Sequence, residues 1–167
     1  MARAYPFCAL RPSSNVYANQ VASPPYDVLD REEARQMAKG NSNSFLHVTK
    51  PELHFSEDVD AYDSRIYERG KTELVRLIEQ HVLKWDQEES FYVYQMQNGQ
   101  HYQTGIGFCA SVDDYENGIV RRHELTVTAK EDDRVRHIEA TQAQTGVVLL
   151  VHREQRSLKN IVEHVIH

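Results

Sequence analysis

The chain has 167 residues, of which 40% are hydrophobic and 26% are charged, a composition that is ordinary for one globular domain. A formal net charge of −6 excludes a global field that attracts nucleic acid or an anionic membrane. No apolar run approaches the roughly 20 residues of a membrane-spanning helix, and no export signal is present, so we expect a cytoplasmic protein. Cys8 and Cys109 are far apart in the sequence and are expected to be free thiols.

The first half of the sequence predicts short strands, loops and two helices. Asp30, with Glu33 three residues later, indicates a capping box at the start of a helix that ends at Gly40. Asp63 or Ser64 is the expected N-cap of the longest helix, over about 65–82. Around these helices the sequence predicts a strand at 5–10, a polar loop at 13–19 and a strand at 45–48.

A pair of prolines makes the segment before the first predicted helix rigid. Pro24 and Pro25 fix the backbone φ angle and favour an extended chain, so the segment can hold Tyr26 and Asp27 in set positions. Two interpretations remain open. Either Tyr26 packs on the core in a rigid turn, or the segment is a platform that presents Asp27 to a ligand.

The second half predicts a hairpin followed by a helix, a strand and a last helix. Asn98-Gly99 is a strong hairpin signal between strands at 91–96 and 101–112. Thr128 and Glu131 predict a second capping box, on a helix over 128–143 that Gly146 terminates. The sequence also predicts a short strand at 119–120, a buried central strand at 147–151 and a helix at 158–166 capped by Ser157. The expected fold is α+β, with a mixed, mainly antiparallel sheet and about four helices in a single domain.

Polar residues are densest between 121 and 137, where basic and acidic side chains are nearly balanced. This balance excludes a plain basic patch for nucleic acid. It suits a site where cations hold an anionic ligand beside carboxylates that bind a metal or move protons.

Helical spacing places pairs of these residues on shared faces. Lys130 and Arg134 are four residues apart and can point together towards a phosphate. Asp133 and His137 have the same spacing, which suits two metal ligands or a carboxylate that orients an imidazole. A solvated helix with ordinary surface ion pairs would show the same spacing.

His123 and Glu124 come just before this helix and can complete either arrangement. No dinucleotide-binding, P-loop or nucleophile-elbow motif occurs in the sequence.

Eight stretches along the chain resemble domain-of-unknown-function family 1015, a family of bacterial and archaeal proteins. The stretches are PFCALRP (6–12), VASPPYDV (21–28), SFLHV (44–48), FYVY (91–94), QTG (103–105), SVDDY (111–115), RHELT (122–126) and KEDDRVRH (130–137). They occur in the family's order along nearly the whole chain.

The resemblance implies a connection to phosphate chemistry. Full members of the family are longer and carry a later Asp-Gly-His-His-Arg motif, similar to one in ParB-like and free-serine-kinase proteins. In that wider group the motif lies at a nucleotide phosphate site. The present chain stops at His167 before any such motif. We therefore expect 1–167 to be an N-terminal domain that supplies part of such a site.

The resulting hypothesis is that the chain is part of an enzyme that binds a nucleotide or phospho-metabolite. The reaction would be phosphoryl transfer of the kind that small-molecule kinases catalyse. Its expected ligand is a small phosphate compound, with Mg²⁺ accompanying a nucleotide, and whether the chain is itself catalytic stays open. The predicted catalytic residues are Glu124, Asp133 and His137, and the predicted phosphate-binding residues are Lys130, Arg134, His123, Tyr26 and Asp27.

The alternative is a non-catalytic binding or assembly module that forms a homodimer. The strands around Asn98-Gly99 and the last predicted helix are the candidate interface. Neither hypothesis includes a membrane or a nucleic acid as partner.

Overall fold

Residues 2–122 and 125–166 are described by a computed structural model of the chain. In chain order its helices are α1 (Asn15–Val21), α2 (Arg31–Ala38), α3 (Leu46–Thr49), α4 (Ser64–Glu79), α5 (Val112–Glu116), α6 (Thr128–Thr141) and α7 (Arg156–Ile166). The strands are β1 (Ala4–Tyr5), β2 (Leu10–Pro12), β3 (Leu83–Trp85), β4 (Tyr92–Asn98), β5 (His101–Gly107) and β6 (Cys109–Ala110). The strands pair as β1 with β6, β2 with β3 and β4 with β5, each antiparallel, so the predicted α+β class is confirmed.

The chain divides into two compact units. One comprises Leu10–Trp85 and Glu124–Val147, and the other comprises Met1–Ala9, Asp86–His123 and Val148–His167. We call them the helical unit and the hairpin unit. No helix of the described residues has the length and apolar character to span a membrane.

Helices α2 and α4 form where the residues at their N-terminal ends predicted them. Asp30 Oδ1 accepts a 2.8 Å hydrogen bond from the backbone N–H of Glu33, whose carboxylate accepts a 2.9 Å bond from the Asp30 N–H. This is the predicted capping box at the start of α2. Asp63 caps α4 through the backbone N–H of Arg65. The predicted hairpin is also present, and Gly99 takes the positive φ of 61° that its turn requires.

Five predicted elements are wrong, three of them in the first half of the chain. The expected polar loop at 13–19 is largely helix α1, because the Ser14 hydroxyl accepts from the Tyr17 N–H as an N-cap. The expected strand at 45–48 is part of α3, whose apolar residues are buried on the helical core. The expected strand at 5–10 is split between β1 and β2, which belong to different ladders.

The most apolar run of the sequence is also not a strand. Residues 147–151 form no strand, and their side chains are exposed rather than central, with Val147 at 94% and Val151 at 88%. The expected strand at 119–120 is a bend. The predicted Thr128/Glu131 capping box is also wrong, because Val127 is the N-cap of α6 and Glu131 accepts instead from the Thr126 hydroxyl. Helix α6 ends at Gln142 in a left-handed conformation, before Gly146.

Two clusters of buried side chains form the core of the helical unit. The larger joins α1, α3, α4 and β3, and the smaller joins α2, α3 and the 3-10 turn Pro51–His54. Leu46, Val48 and Leu77 are completely buried. The short helix α3 therefore contributes to both clusters, which explains why an apolar run of strand-like composition folds as helix here.

In the hairpin unit the buried carboxylate of Asp114 binds Arg3, near the start of the chain. Asp114 is 3% exposed and accepts hydrogen bonds from the Arg3 backbone N–H and guanidinium at 2.6 to 3.1 Å. The Arg3 guanidinium lowers the pKa of Asp114, so the carboxylate stays charged at neutral pH.

Candidate functional site

A cavity of about 290 Å³ lies within the helical unit, between α4, α6 and the 3-10 turns Tyr26–Val28 and Pro51–His54. Six of the eight site residues predicted from sequence line it, namely Tyr26, Asp27, Lys130, Asp133, Arg134 and His137. The other two, His123 and Glu124, lie outside the described residues. The structure thus brings the diproline segment and one face of α6 to the same cavity.

Arg134 is fixed on two sides. Its guanidinium carbon lies 3.9 Å from the centre of the Tyr26 ring, a cation–π contact. Its Nε and Nη2 atoms donate to Asp133 Oδ2 at 3.0 and 2.6 Å. Pro25, which precedes Tyr26, fixes its own φ angle and so limits the freedom of the backbone that carries the ring.

Asp133 joins α6 to α4. While its Oδ2 binds Arg134, its Oδ1 accepts a 2.8 Å hydrogen bond from the hydroxyl of Tyr67. Burial and the nearby Asp133 charge raise the pKa of Tyr67 to about 12, so the hydroxyl keeps its proton at neutral pH and remains a donor. Both carboxylate oxygens of Asp133 therefore have partners within the protein.

His137 is the most buried polar residue at the cavity, at 1% exposure. Its Nε2 donates to the Val48 carbonyl oxygen at 2.8 Å, which leaves Nδ1 as the acceptor of the neutral ring, 3.5 Å from Thr145 Oγ1. Burial lowers the pKa of His137, so the imidazole is neutral at physiological pH. Asp133 turns to Tyr67 and Arg134 rather than to this imidazole.

The close approach of α4 to His137 depends on a glycine. A Cβ atom on Gly70 would lie 3.0 Å from the Val48 carbonyl oxygen, 3.3 Å from Pro51 Cγ and 3.6 Å from His137 Nε2. Gly70 therefore leaves room for the His137–Val48 hydrogen bond at the place where α4, α6 and α3 meet.

A family model for a "Protein of unknown function (DUF1015)" matches residues 4–167, which is nearly the entire chain. The chain belongs to the DUF1015 family. Neither a curated protein nor a solved structure shows a significant match to it.

Sequence reasoning missed three polar side chains at the cavity of this DUF1015 protein. Lys50 and Glu52 form a 2.9 Å ion pair in which both side chains are largely buried, at 13% and 19% exposure. Their signal was a lysine and a glutamate on either side of Pro51. Tyr67 lies within the helix predicted over about 65–82, and its signal was that a buried tyrosine usually needs a partner for its hydroxyl.

The charges at the cavity are not all matched. Lys50 pairs with Glu52 and Arg134 pairs with Asp133. Lys130 is exposed, as is Asp27, and neither makes an ion pair with another residue in ranges 2–122 and 125–166. Lys130 is therefore the cation at this cavity that is most available to an incoming anion, one helical turn from Arg134.

Among the residues that the structure describes, no group of three or more histidine, cysteine, aspartate or glutamate side chains is placed to hold a metal ion. What the cavity does offer is the Arg134 guanidinium over the Tyr26 ring, with Lys130 in the same lining, next to the Asp133 carboxylate that the Tyr67 hydroxyl holds.

Proposed function

We propose that the cavity binds the phosphate group of a small phosphorylated metabolite or nucleotide. The observation that supports this most is the placement of Lys130 and Arg134 on one wall, with Arg134 already oriented by Tyr26 and Asp133. An arginine whose guanidinium plane is fixed in advance loses little side-chain entropy when it binds an oxyanion, and its donors suit phosphate geometry.

The size of the cavity favours a small ligand. Pockets for drug-sized molecules measure roughly 300–1,000 Å³. At about 290 Å³, the cavity suits a phosphorylated metabolite, or the phosphates of a nucleotide whose base lies outside.

Phosphoryl transfer is the reaction suggested by the later Asp-Gly-His-His-Arg motif of full family members, which is similar to a motif in ParB-like and free-serine-kinase proteins and lies outside the present chain. In that reaction the oxygen of an acceptor hydroxyl attacks the terminal phosphorus, the bond to the bridging oxygen breaks, and the hydroxyl proton passes to a carboxylate. We assign that carboxylate to Asp133, which lies beside the cation that would meet the phosphate.

The other predicted catalytic residue of α6 receives a different role in this proposal. His137 Nε2 already donates to the Val48 carbonyl, so the imidazole holds α6 in position rather than moving protons. A Mg²⁺ ion that arrives with a nucleotide would be bound chiefly by phosphate oxygens and water, which is the usual pattern for this ion.

The test is calorimetric titration of the intact chain with ATP, ADP, CTP and inorganic phosphate, with and without Mg²⁺. We expect binding by at least one probe and a loss of about tenfold or more in affinity for Arg134→Ala, since a charge-assisted contact contributes about 1.5–3 kcal/mol.

Arg153→Ala is the matched control. Arg153 is an exposed residue of the hairpin unit that does not line the cavity, and its removal changes the net charge by the same amount. Equal losses for the two variants would assign binding to overall charge and contradict the proposed site. The absence of binding for every probe would contradict the proposed function itself.

A further inference from the structure

One carboxylate at the cavity keeps an oxygen atom that the protein does not use. Glu52 Oε1 lies 2.9 Å from Lys50 Nζ, and the residues that the structure describes supply no hydrogen-bond donor to Glu52 Oε2. The Glu52 side chain lines the cavity at 19% exposure, and Oε2 is not among the buried polar atoms that lack a partner. Oε2 is therefore within reach of a ligand.

Glu52 differs in this respect from the other carboxylate held at the cavity. Both oxygens of Asp133 already accept hydrogen bonds, Oδ1 from the Tyr67 hydroxyl and Oδ2 from the Arg134 guanidinium. A ligand that bonds to Asp133 must compete with these donors, whereas a ligand that bonds to Glu52 Oε2 displaces only water. Glu52 is thus the better placed of the two to recognise a donor group on a ligand.

The segment that carries Glu52 is fixed before a ligand arrives. Pro51, between Lys50 and Glu52, is buried and begins the 3-10 turn Pro51–His54. Leu53 of the same turn belongs to the smaller core cluster. Because the core holds the turn and Lys50 holds Oε1, little conformational entropy is lost when Oε2 accepts a hydrogen bond from a ligand.

We propose that Glu52 selects ligands that carry a hydroxyl group as well as a phosphate, an inference that rests on the proposed phosphate site. Lys50 already balances the charge of Glu52, so the pair is neutral as a whole and its free oxygen suits a neutral donor. An ammonium group would add a second cation to a carboxylate that has one. The ligand class is a phosphorylated polyol or sugar, which includes the ribose of a nucleotide.

The selection comes from the loss of water around Glu52 Oε2. A ligand that fills the cavity removes this water, and a ligand hydroxyl that donates to Oε2 replaces it. A ligand without a donor leaves the carboxylate oxygen unpaired, which is the effect that lets polar sites reject analogues lacking a hydroxyl. Asp27 also lines the cavity, but it is exposed and keeps its water, so it contributes less to this selection.

The first test compares phosphates that differ only in their hydroxyl groups, by calorimetric titration of the intact chain. Glycerol 3-phosphate is paired with propyl phosphate, and ribose 5-phosphate is paired with tetrahydrofurfuryl phosphate, which has the same ring without hydroxyls. We expect the hydroxylated member of at least one pair to bind about tenfold or more tightly, because its analogue forfeits a hydrogen bond to a charged acceptor. Equal affinities within both pairs overturn the proposal.

The second test assigns the preference to Glu52. Methionine is close to glutamate in length and has no strong acceptor, so in Glu52→Met the two members of a pair should bind with nearly equal affinity. The readout is the ratio of their dissociation constants, because the Lys50 ammonium that this change frees acts on both ligands alike. A wild-type ratio in a folded Glu52→Met protein removes Glu52 from the proposed role.

Glu57→Met is the matched control. Glu57 does not line the cavity and its side chain is 69% exposed, so the variant loses the same charge and should keep the wild-type ratio. Thermal unfolding followed by circular dichroism shows whether both variants are folded. Should Glu52→Met fail to fold, the ligand pairs still decide the matter on the wild-type chain.

Phosphoethanolamine separates a neutral donor from a cationic one. Tighter binding of phosphoethanolamine than of glycerol 3-phosphate would contradict selection for a hydroxyl group. The two proposals also fail in different ways. If the phosphate site itself is wrong, no phosphate binds and both proposals fall, whereas if only the role of Glu52 is wrong, the members of each pair bind equally and Arg134→Ala still weakens them all.

Discussion

The hydroxyl of Tyr67 and the carboxylate of Asp133 lie 2.8 Å apart and connect α4 to α6 at the wall of the cavity. Through Asp133 this hydrogen bond also reaches Arg134, whose guanidinium binds the other carboxylate oxygen. The position of the cation proposed to meet phosphate is thus determined partly by a tyrosine on a different helix. Stability and ligand binding are expected to share this contact.

Replacing Tyr67 by phenylalanine tests the link between the helices. We expect Tyr67→Phe to lower the free energy of unfolding by about 1–2 kcal/mol, because a hydrogen bond to a charged acceptor is lost while the ring keeps its packing. The measurement is urea unfolding followed by circular dichroism. If the proposed function is correct, affinity for the phosphate probes falls as well, since Arg134 loses part of its support.

Tyr102→Phe is the control for this change, because Tyr102 is an exposed residue of the hairpin. Tyr102→Phe also removes one tyrosine hydroxyl, and we expect it to leave the free energy of unfolding unchanged. Equal unfolding midpoints for Tyr67→Phe and the wild type would contradict the role of the hydroxyl.

Replacing Gly70 by alanine tests the close approach of α4. Alanine is more favourable than glycine in a helix by about 1 kcal/mol, so helix propensity alone predicts that Gly70→Ala stabilises the protein. The added Cβ would lie only 3.0 Å from the Val48 carbonyl oxygen, which belongs to a backbone that cannot move without disturbing α3. We expect the packing term to dominate and the melting temperature of Gly70→Ala to fall.

Gly105→Ala is the comparison for the glycine variant, since a Cβ atom there meets no other atom within 4 Å. Its melting temperature should stay close to that of the wild type. A Gly70→Ala protein more stable than the wild type would show that helix propensity outweighs the contact.

The buried imidazole of His137 predicts a dependence of stability on pH. Burial lowers the pKa of His137 below its ordinary value of 6.5, so the unfolded chain binds a proton as the pH falls through 6.5 while the folded chain does not. The free energy of unfolding must therefore decrease below pH 6.5. His54, whose pKa is lowered to about 4 by burial and the nearby Arg69, acts in the same direction.

Urea unfolding at several pH values between 5 and 8 measures this effect. We expect His137→Gln to be less stable than the wild type at pH 8, by about 1–3 kcal/mol, because the buried bond to Val48 is weakened. The free energy of unfolding of this variant should decrease less than that of the wild type as the pH is lowered from 8 to 5. His101→Gln, on the exposed hairpin, should keep the wild-type dependence of the free energy of unfolding on pH. The same dependence in His137→Gln as in the wild type would argue against a buried neutral imidazole.

Local sequence signals predicted helices α2 and α4 with their caps. Asp30 and Glu33, three residues apart, form the predicted capping box, whereas Thr128 and Glu131 have the same spacing and do not form one. The spacing of Lys130, Asp133, Arg134 and His137 likewise required only the geometry of one helix, and the structure places all four at one cavity. Such features are predictable since no distant residue takes part in them.

Short apolar segments were not predictable in the same way. Residues 45–48 and 147–151 have the composition of strands, yet the first lies mostly in the buried helix α3 and the second is exposed without regular structure. Composition indicates that such a segment prefers burial, but the neighbouring elements decide whether it is buried and in which conformation.

The amino-acid sequence by itself determined the family, the α+β class, the caps of α2 and α4, and the charged face of α6. Only the tertiary structure decided that Tyr67 would hold Asp133, that Tyr26 would stack on Arg134, and that Gly70 would make room for His137. The physical reason is separation along the chain, because these partners are tens of residues apart and meet only when the core of the helical unit has brought α4 and α6 together.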